Sequence, residues 1–373
     1  MNTPRLWIPG PTHVRPELLA ECARQQIGHR SGAMRALNER LDPGLQRAFG
    51  LAEGSSAHVA AHSCSATGLM EASLAGVGPR VLCVTLGAFG ERWKKIAEIV
   101  GKDVTALQLD WGSALEAAEL ERVLSEQGPF DALTFVSNET STGVVTHLAQ
   151  VAEVMRRHPD TLVMVDLVSY IAGAAVDFDT NGLDFAFAGV QKAFALPSGV
   201  TVACASDRYL EQARSLKQSS FYLDPVRIFE GHAARKTPAT PCIPQYYALA
   251  AQLDDIDAGV ALPDAHRGAD ANANWSARFA KHERMREQTH AWAGRHGLEL
   301  FPPVSNASAT VSCIRAGSLD VPALIDGLKQ RGHEIGNGYG RLKNETFRIG
   351  HMGDHTEQDL AQLLTAADEV LGA

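Results

Sequence analysis

Between about residues 55 and 206, short apolar runs alternate with stretches of amphipathic character. The runs His58–Ser63, Arg80–Leu86, Val104–Leu109, Ala132–Ser137, Thr161–Asp166, Asp184–Gly189 and Gly199–Ala205 read as strands. Several are continuous in Val, Leu, Phe and Ala rather than alternating, as strands buried on both faces require. Helical patterns at Gly68–Gly76, Gly90–Gly101, Ala114–Gln127 and Leu148–His158 fill the gaps. This β-α alternation predicts an α/β fold with a doubly wound, mostly parallel seven-stranded sheet.

After Pro225 the pattern changes. Pro238, Pro241 and Pro244 punctuate an irregular segment, and long helices follow from Pro244 to His296. A smaller C-terminal α/β unit then reads as strand Ala309–Arg315, helix Val321–Arg331, strand Thr346–Gly350 and helix Thr356–Leu371. Thr356 with Asp359 three residues on forms a variant capping box for that last helix. A chain of 373 residues exceeds one ordinary core. We expect a large domain over 16–255 and a small one over 256–373 that includes the N-terminal segment 1–15.

Composition removes several function classes. Lys+Arg 34 against Asp+Glu 43 gives a net charge of −9, which disfavours nucleic acid and anionic membranes as partners. No apolar run approaches the roughly 20 residues of a bilayer span, and Met1–Gly10 lacks the apolar core of a signal peptide, so a cytoplasmic location is expected. Cys22, Cys64, Cys83, Cys204, Cys242 and Cys313 are scattered without a CxxC pair, which argues against disulfides and against a metal site. No HExxH, GxxxxGK[ST] or GxGxxG signature is present.

Ligands of an open parallel sheet bind beyond the carboxyl ends of its strands. Those positions hold Ser63–Gly68, Gly87–Gly90, Asn138–Gly143, Asp166 and Val190–Lys192. Each has an ordinary structural alternative: a Ser/Thr/Gly turn is commonly an N-cap, Phe89 alone fits a core, and Asp166 alone fits a cap. Lys192 after the apolar run Phe185–Val190 stands where a solvated lysine is uncommon. Taken as a set, these residues offer an amine for a Schiff base, an acid for a ring nitrogen, an aromatic for stacking and a cup for a phosphate. Those are the parts a pyridoxal 5'-phosphate site needs.

The chain resembles the class V, fold type I, pyridoxal-phosphate aminotransferases. The resemblance rests on Pro9–Thr12, Gly28–Ser31, Gly87–Arg92, Asn138–Gly143, Val165–Ser169, Gln191-Lys192, Thr237–Pro241 and Phe347–Gly350, in that order along nearly the whole chain. It implies that Lys192 holds the cofactor and then moves the substrate proton, and that Asp166 pairs with the ring nitrogen. Phe89, where the family often has tryptophan, would stack on the ring, and Thr140 would bond the phenolic oxygen. Ser65, Ala66 and Thr67 would cradle the phosphate, with Gln191 as an added donor. Thr237 and Thr240 would reach the phosphate site of a neighbouring subunit in a homodimer. The alternative for that segment is a proline-pinned surface loop.

For substrate, the resemblance makes Arg348 the clamp on the α-carboxylate, a task for a planar guanidinium. His29 and Arg30 resemble the pair with which phosphoserine aminotransferases grip a side-chain phosphate, and Arg341 is a candidate second anion contact. The expected reaction is therefore phosphoserine with 2-oxoglutarate, ahead of alanine or serine with glyoxylate or pyruvate. A cysteine desulfurase is disfavoured because Gln191, not histidine, precedes the lysine and Cys313 falls within a strand. A non-catalytic module is disfavoured because Lys192, Asp166 and Arg348 are all present.

Overall fold

A computed structural model describes residues 3–372. The extreme ends of the expected small domain, Met1, Asn2 and Ala373, lie outside the described residues. In chain order the elements are β1 (Arg5–Trp7), α1 (Pro16–Cys22), α2 (Gly32–Phe49), β2 (His58–His62), α3 (Ala66–Ala75), β3 (Arg80–Thr85), α4 (Ala88–Ile99) and β4 (Asp103–Gln108). Then come α5 (Ala117–Gln127), β5 (Ala132–Val136), the short pair β6 (Asn138–Glu139) and β7 (Val144–Val145), α6 (Leu148–Met155), β8 (Leu162–Asp166), β9 (Phe185–Gly189) and β10 (Thr201–Ala205). The chain ends with α7 (Asp207–Ser215), α8 (Pro225–Ala233), α9 (Ile243–Asp257), α10 (Ala271–Arg295), β11 (Ser312–Arg315), α11 (Val321–Gln330), β12 (His333–Asn337), β13 (Thr346–Ile349) and α12 (Glu357–Leu371).

All seven strands expected from the apolar runs pair in one sheet, in the order β2-β10-β9-β8-β5-β3-β4. Pairing is parallel from β9 across to β4, while β10 runs antiparallel to both of its neighbours. The two-residue alternation of a strand explains how apolar runs serve both faces. Leu82, Val84, Leu133 and Phe135 join one core with α2 and α9, whereas Val81, Cys83 and Ala132 join a second with α3 and α4. Among the described residues no helix is long and apolar enough to cross a membrane.

A four-stranded sheet, β1-β12-β13-β11, carries its own core around Trp7, Phe347 and Ile349 under α11 and α12. Thr356 and Asp359 exchange the two hydrogen bonds of a capping box at the start of α12. The sequence reading misses β1 and β12. The first is three residues long, too short to show a period, and the second carries the polar string His333-Glu334 on a half-exposed strand. The N-terminal segment before His29 contains β1 and α1.

Candidate active site

Loops at the carboxyl ends of β2, β3, β5, β8 and β9 enclose a cavity of about 400 Å³. Eight of the ten residues expected around the cofactor line it: Ser65, Ala66, Thr67, Phe89, Thr140, Asp166, Gln191 and Lys192. Lys192 lies just past the end of β9 rather than on it. It is buried, and its Nζ donates to the carbonyl of Pro9 from the N-terminal segment. Burial, and after it the Arg348 guanidinium, lowers its pKa to about 8. Gly10, at φ +109°, passes so close that a Cβ there would overlap the lysine side chain.

Asp166 is the last residue of β8, and its Oδ1 accepts a 2.7 Å hydrogen bond from the Val168 N–H. Burial, with the nearby Glu139 carboxylate adding to it, raises its pKa to about 7; the Val168 N–H, and after it Lys192 and Arg92, offset only part of that. Ser65 is the N-cap residue of α3, yet its side chain makes no capping bond, which leaves the positive end of the helix without a side-chain acceptor at the cavity wall. Phe89 sits in the first turn of α4, with the Arg92 guanidinium 4.8 Å from its ring centroid and the Tyr339 ring 5.7 Å away.

Thr140 is buried with its Oγ1 2.7 Å from Ser169 Oγ, and its carbonyl accepts from Arg348 Nη1 at 3.1 Å. Arg348 lies on β13 between the buried side chains of Phe347 and Ile349, and its Nε donates to the Asn337 carbonyl at 2.9 Å. Both contacts are to backbone carbonyls, which satisfy N–H groups without neutralising the charge. The small sheet thus points a cation at the turn that lines the cavity of the large one.

Five expected residues lie elsewhere in the chain. His29, Arg30, Thr237 and Thr240 come together, with Arg35, Arg235 and Lys236, around a separate depression of about 530 Å³. The Thr237 hydroxyl donates to the Ala239 carbonyl, 2.7 Å away, which fixes the proline-flanked turn. Arg341 is exposed, and its guanidinium stacks 4.2 Å over the Trp111 ring, so the expected second anion contact does not line the cavity. An indole face attracts a guanidinium, and no sequence pattern announced that pairing.

The sequence reading passed over Glu139, Arg92 and Tyr339. Glu139 belongs to the run Asn138–Gly143 beyond β5, and its side chain on β6 is fully buried against the start of α4. The clue available was its place directly after an apolar strand; its burial is set by other segments.

The family described as Aminotransferase class-V matches residues 61–285, more than half of the chain. The small subunit of a soluble hydrogenase from Synechococcus is 27% identical, covering 98% of this chain and 92% of the relative. A serine–glyoxylate aminotransferase from Methylorubrum extorquens is 27% identical over 97% of this chain and 90% of its own. The crystal structure of an alanine–glyoxylate aminotransferase from Nostoc superposes with a TM-score of 0.87 at 26% identity, covering 100% of this chain and 96% of that one. A phosphoserine aminotransferase from Cytophaga hutchinsonii superposes equally well, TM-score 0.87 over 99% of each chain, but at 19% identity, a likeness of fold.

Proposed function

The chain belongs to the class V aminotransferase family, fold type I enzymes that use pyridoxal phosphate, and from that premise we propose that it moves an amino group from a small amino acid, alanine or serine, to glyoxylate or a similarly short 2-oxo acid. The observation that carries this choice is Arg341 on Trp111. Of the cations read as contacts for a side-chain phosphate, Arg341 is held on Trp111 outside the cavity, and His29 and Arg30 line a separate depression rather than this chain's own cavity. The full-length likeness to serine– and alanine–glyoxylate enzymes supports the same side. The reading of phosphoserine with 2-oxoglutarate as the leading pair is accordingly set aside.

The cavity fits the cofactor chemically. A carboxyl group pushed up to about 7 by burial suits a protonated ring nitrogen, which would give it a charged partner. A buried amine near pKa 8, held by a carbonyl, suits covalent attachment. The uncapped start of α3 suits a phosphate. When bound, pyridoxal phosphate supplies a carbonyl carbon for the amino group and an electron-poor ring that takes up the electron pair left at Cα.

The residues then divide the work. Arg348 holds the α-carboxylate that donor and acceptor share. Lys192 would hold the cofactor and, once free of it, would take up the Cα proton and carry it to the carbon on the far side of the bridging nitrogen, a task for an amine whose pKa lies near the working pH. Asp166 would keep the ring nitrogen protonated, Phe89 would offer a stacking face, and Thr140 and Gln191 would supply hydrogen bonds. We assign Arg348 to a small domain of residues 256–373 with 1–15, facing a large domain of 16–255. Thr237, Thr240, His29 and Arg30 serve the cavity of a second copy in a homodimer. Cys313 is buried in β11 with its thiol pushed up to about 11 by burial, which speaks against a desulfurase thiol.

Mixing the loaded protein in turn with alanine, serine, aspartate and phosphoserine, and following cofactor absorbance over one turnover, tests this reading. Alanine or serine should convert the cofactor fastest. Faster conversion by phosphoserine, lost on Arg30→Gln, would refute it.

A further inference from the structure

We infer that Glu139 is the positioning residue of this site: an ionised side chain that caps α4 from a distance and so sets where Phe89 stands relative to Thr140. The inference rests on the pyridoxal-phosphate reading. Helix α4 begins after Gly87, which has no side chain to cap it. A Cβ at Gly87 would overlap the Glu139 side chain, so a local capping residue is sterically barred. Glu139 supplies what is missing. Its Oε2 accepts from the N–H groups of Phe89 at 3.0 Å and Gly90 at 3.1 Å. Its Oε1 accepts from the Ser141 N–H at 3.1 Å and the Ser141 hydroxyl at 2.5 Å. The same hydroxyl oxygen accepts from the Ala88 N–H at 3.1 Å.

Four donations converge on two carboxyl oxygens, and the side chain is 0% exposed. Three of the four donors are backbone N–H groups that cannot accept, so a neutral acid could place its proton only on the Ser141 hydroxyl; burial pushes the Glu139 pKa up, and the four donations oppose it and favour the carboxylate. The helix dipole at the start of α4 favours the same charge. One side chain therefore ties two walls of the cavity together. Phe89 is held by its own N–H on α4. Thr140 is flanked by Glu139 and Ser141, and its carbonyl holds Arg348. The backbone carbonyl of Glu139 also closes the turn by accepting from Thr142 and Gly143.

Isosteric replacement separates this role from the filling of space. In Glu139→Gln the amide nitrogen, on whichever side it sits, meets at least one backbone N–H donor against donor and the charge is lost, so a residue of equal volume should hold α4 less well. In the full-length protein, Glu139→Gln is expected to weaken pyridoxal-phosphate affinity on the order of tenfold to a hundredfold, the scale of lost charge-assisted hydrogen bonds. In the cofactor-free protein, amide exchange of the peptide spanning 86–92 should accelerate. Ser141→Ala, milder and kept in case the Glu139 variants do not fold, should move both readouts the same way by about threefold. Near-normal affinity in Glu139→Gln, or unchanged affinity and exchange in Ser141→Ala, overturns the inference. Faster exchange with unchanged affinity also overturns it, because the cap would then position nothing. A parent protein that does not bind pyridoxal phosphate would bring down the site reading itself; one that binds it while the variants bind equally brings down only Glu139.

Discussion

Asp166 closes β8 in register with Phe187 of β9, and just past the end of that second strand Lys192 turns into the same cavity. A buried acid and a buried amine thus share one water-poor space, where burial moves their pKa values toward each other, to about 7 and about 8. Neither has a tight ion-pair partner holding it charged: Asp166 accepts from a backbone N–H and Lys192 donates to a backbone carbonyl. Both can exchange protons near neutrality.

Cofactor affinity should fall on acidification. The carboxylate form of Asp166 pairs with the protonated ring nitrogen, and that pairing lowers its pKa below the free value of about 7. The contribution is therefore fully present above 7 and is lost as pH falls through the gap, by about tenfold per pH unit at most. Equilibrium titration of the cofactor-free protein from about pH 5.5 to 8 measures it, and Asp166→Asn should remove this limb. A profile in the parent no steeper than in the variant would refute the assignment.

Lys192→Ala should lower turnover by at least about a thousandfold, since both covalent attachment and proton transfer are lost. In the cofactor-free parent, amine-reactive labelling of Lys192 should rise with a midpoint near its lowered pKa of about 8. Quantitative mass spectrometry over a pH series reads this directly. A midpoint matching the surface lysines would contradict the burial argument.

Arg348→Gln should raise KM for both amino and oxo substrates by roughly ten- to a hundredfold, because the group they share loses its clamp. Arg348→Lys should recover only part of this, as an ammonium cannot bond a carboxylate in two parallel contacts. Steady-state kinetics decides. A change confined to one substrate would mean that Arg348 reads a side chain instead.

If Thr240 and Arg30 serve the neighbouring copy, mixing inactive variants should restore activity. Lys192→Ala chains combined with chains carrying Arg30→Gln and Thr240→Ala would form hybrids in which one of the two sites has every group intact. At equal proportions roughly a quarter of parent activity is expected, given free exchange in an isologous dimer. No recovery in mixtures shown to contain hybrids would place these residues in their own chain's service.

Much of the architecture was legible because it depends on local pattern. Continuous apolar runs such as Ala132–Val136 and Leu162–Asp166 bury both faces and so mark central strands wherever they occur. The parallel-sheet rule then carried Ser65, Phe89, Thr140, Asp166 and Lys192 to one edge, and all five line one cavity. Short or polar elements escaped: Arg5–Trp7 pairs with His333–Asn337 across most of the chain, and neither carries a period of its own.

The sequence by itself determined which strands are buried, which strand ends hold reactive groups, and that one lysine, one acid and one aromatic fall among them. Only the tertiary structure decided that Glu139 is a buried cap, that Arg341 lies on Trp111 instead of in the cavity, and that His29 and Thr240 line one depression. The difference is physical. Burial on a strand follows from neighbours two residues away, whereas the surroundings of a charged side chain are set by segments distant in the chain, and local periodicity carries no information about them.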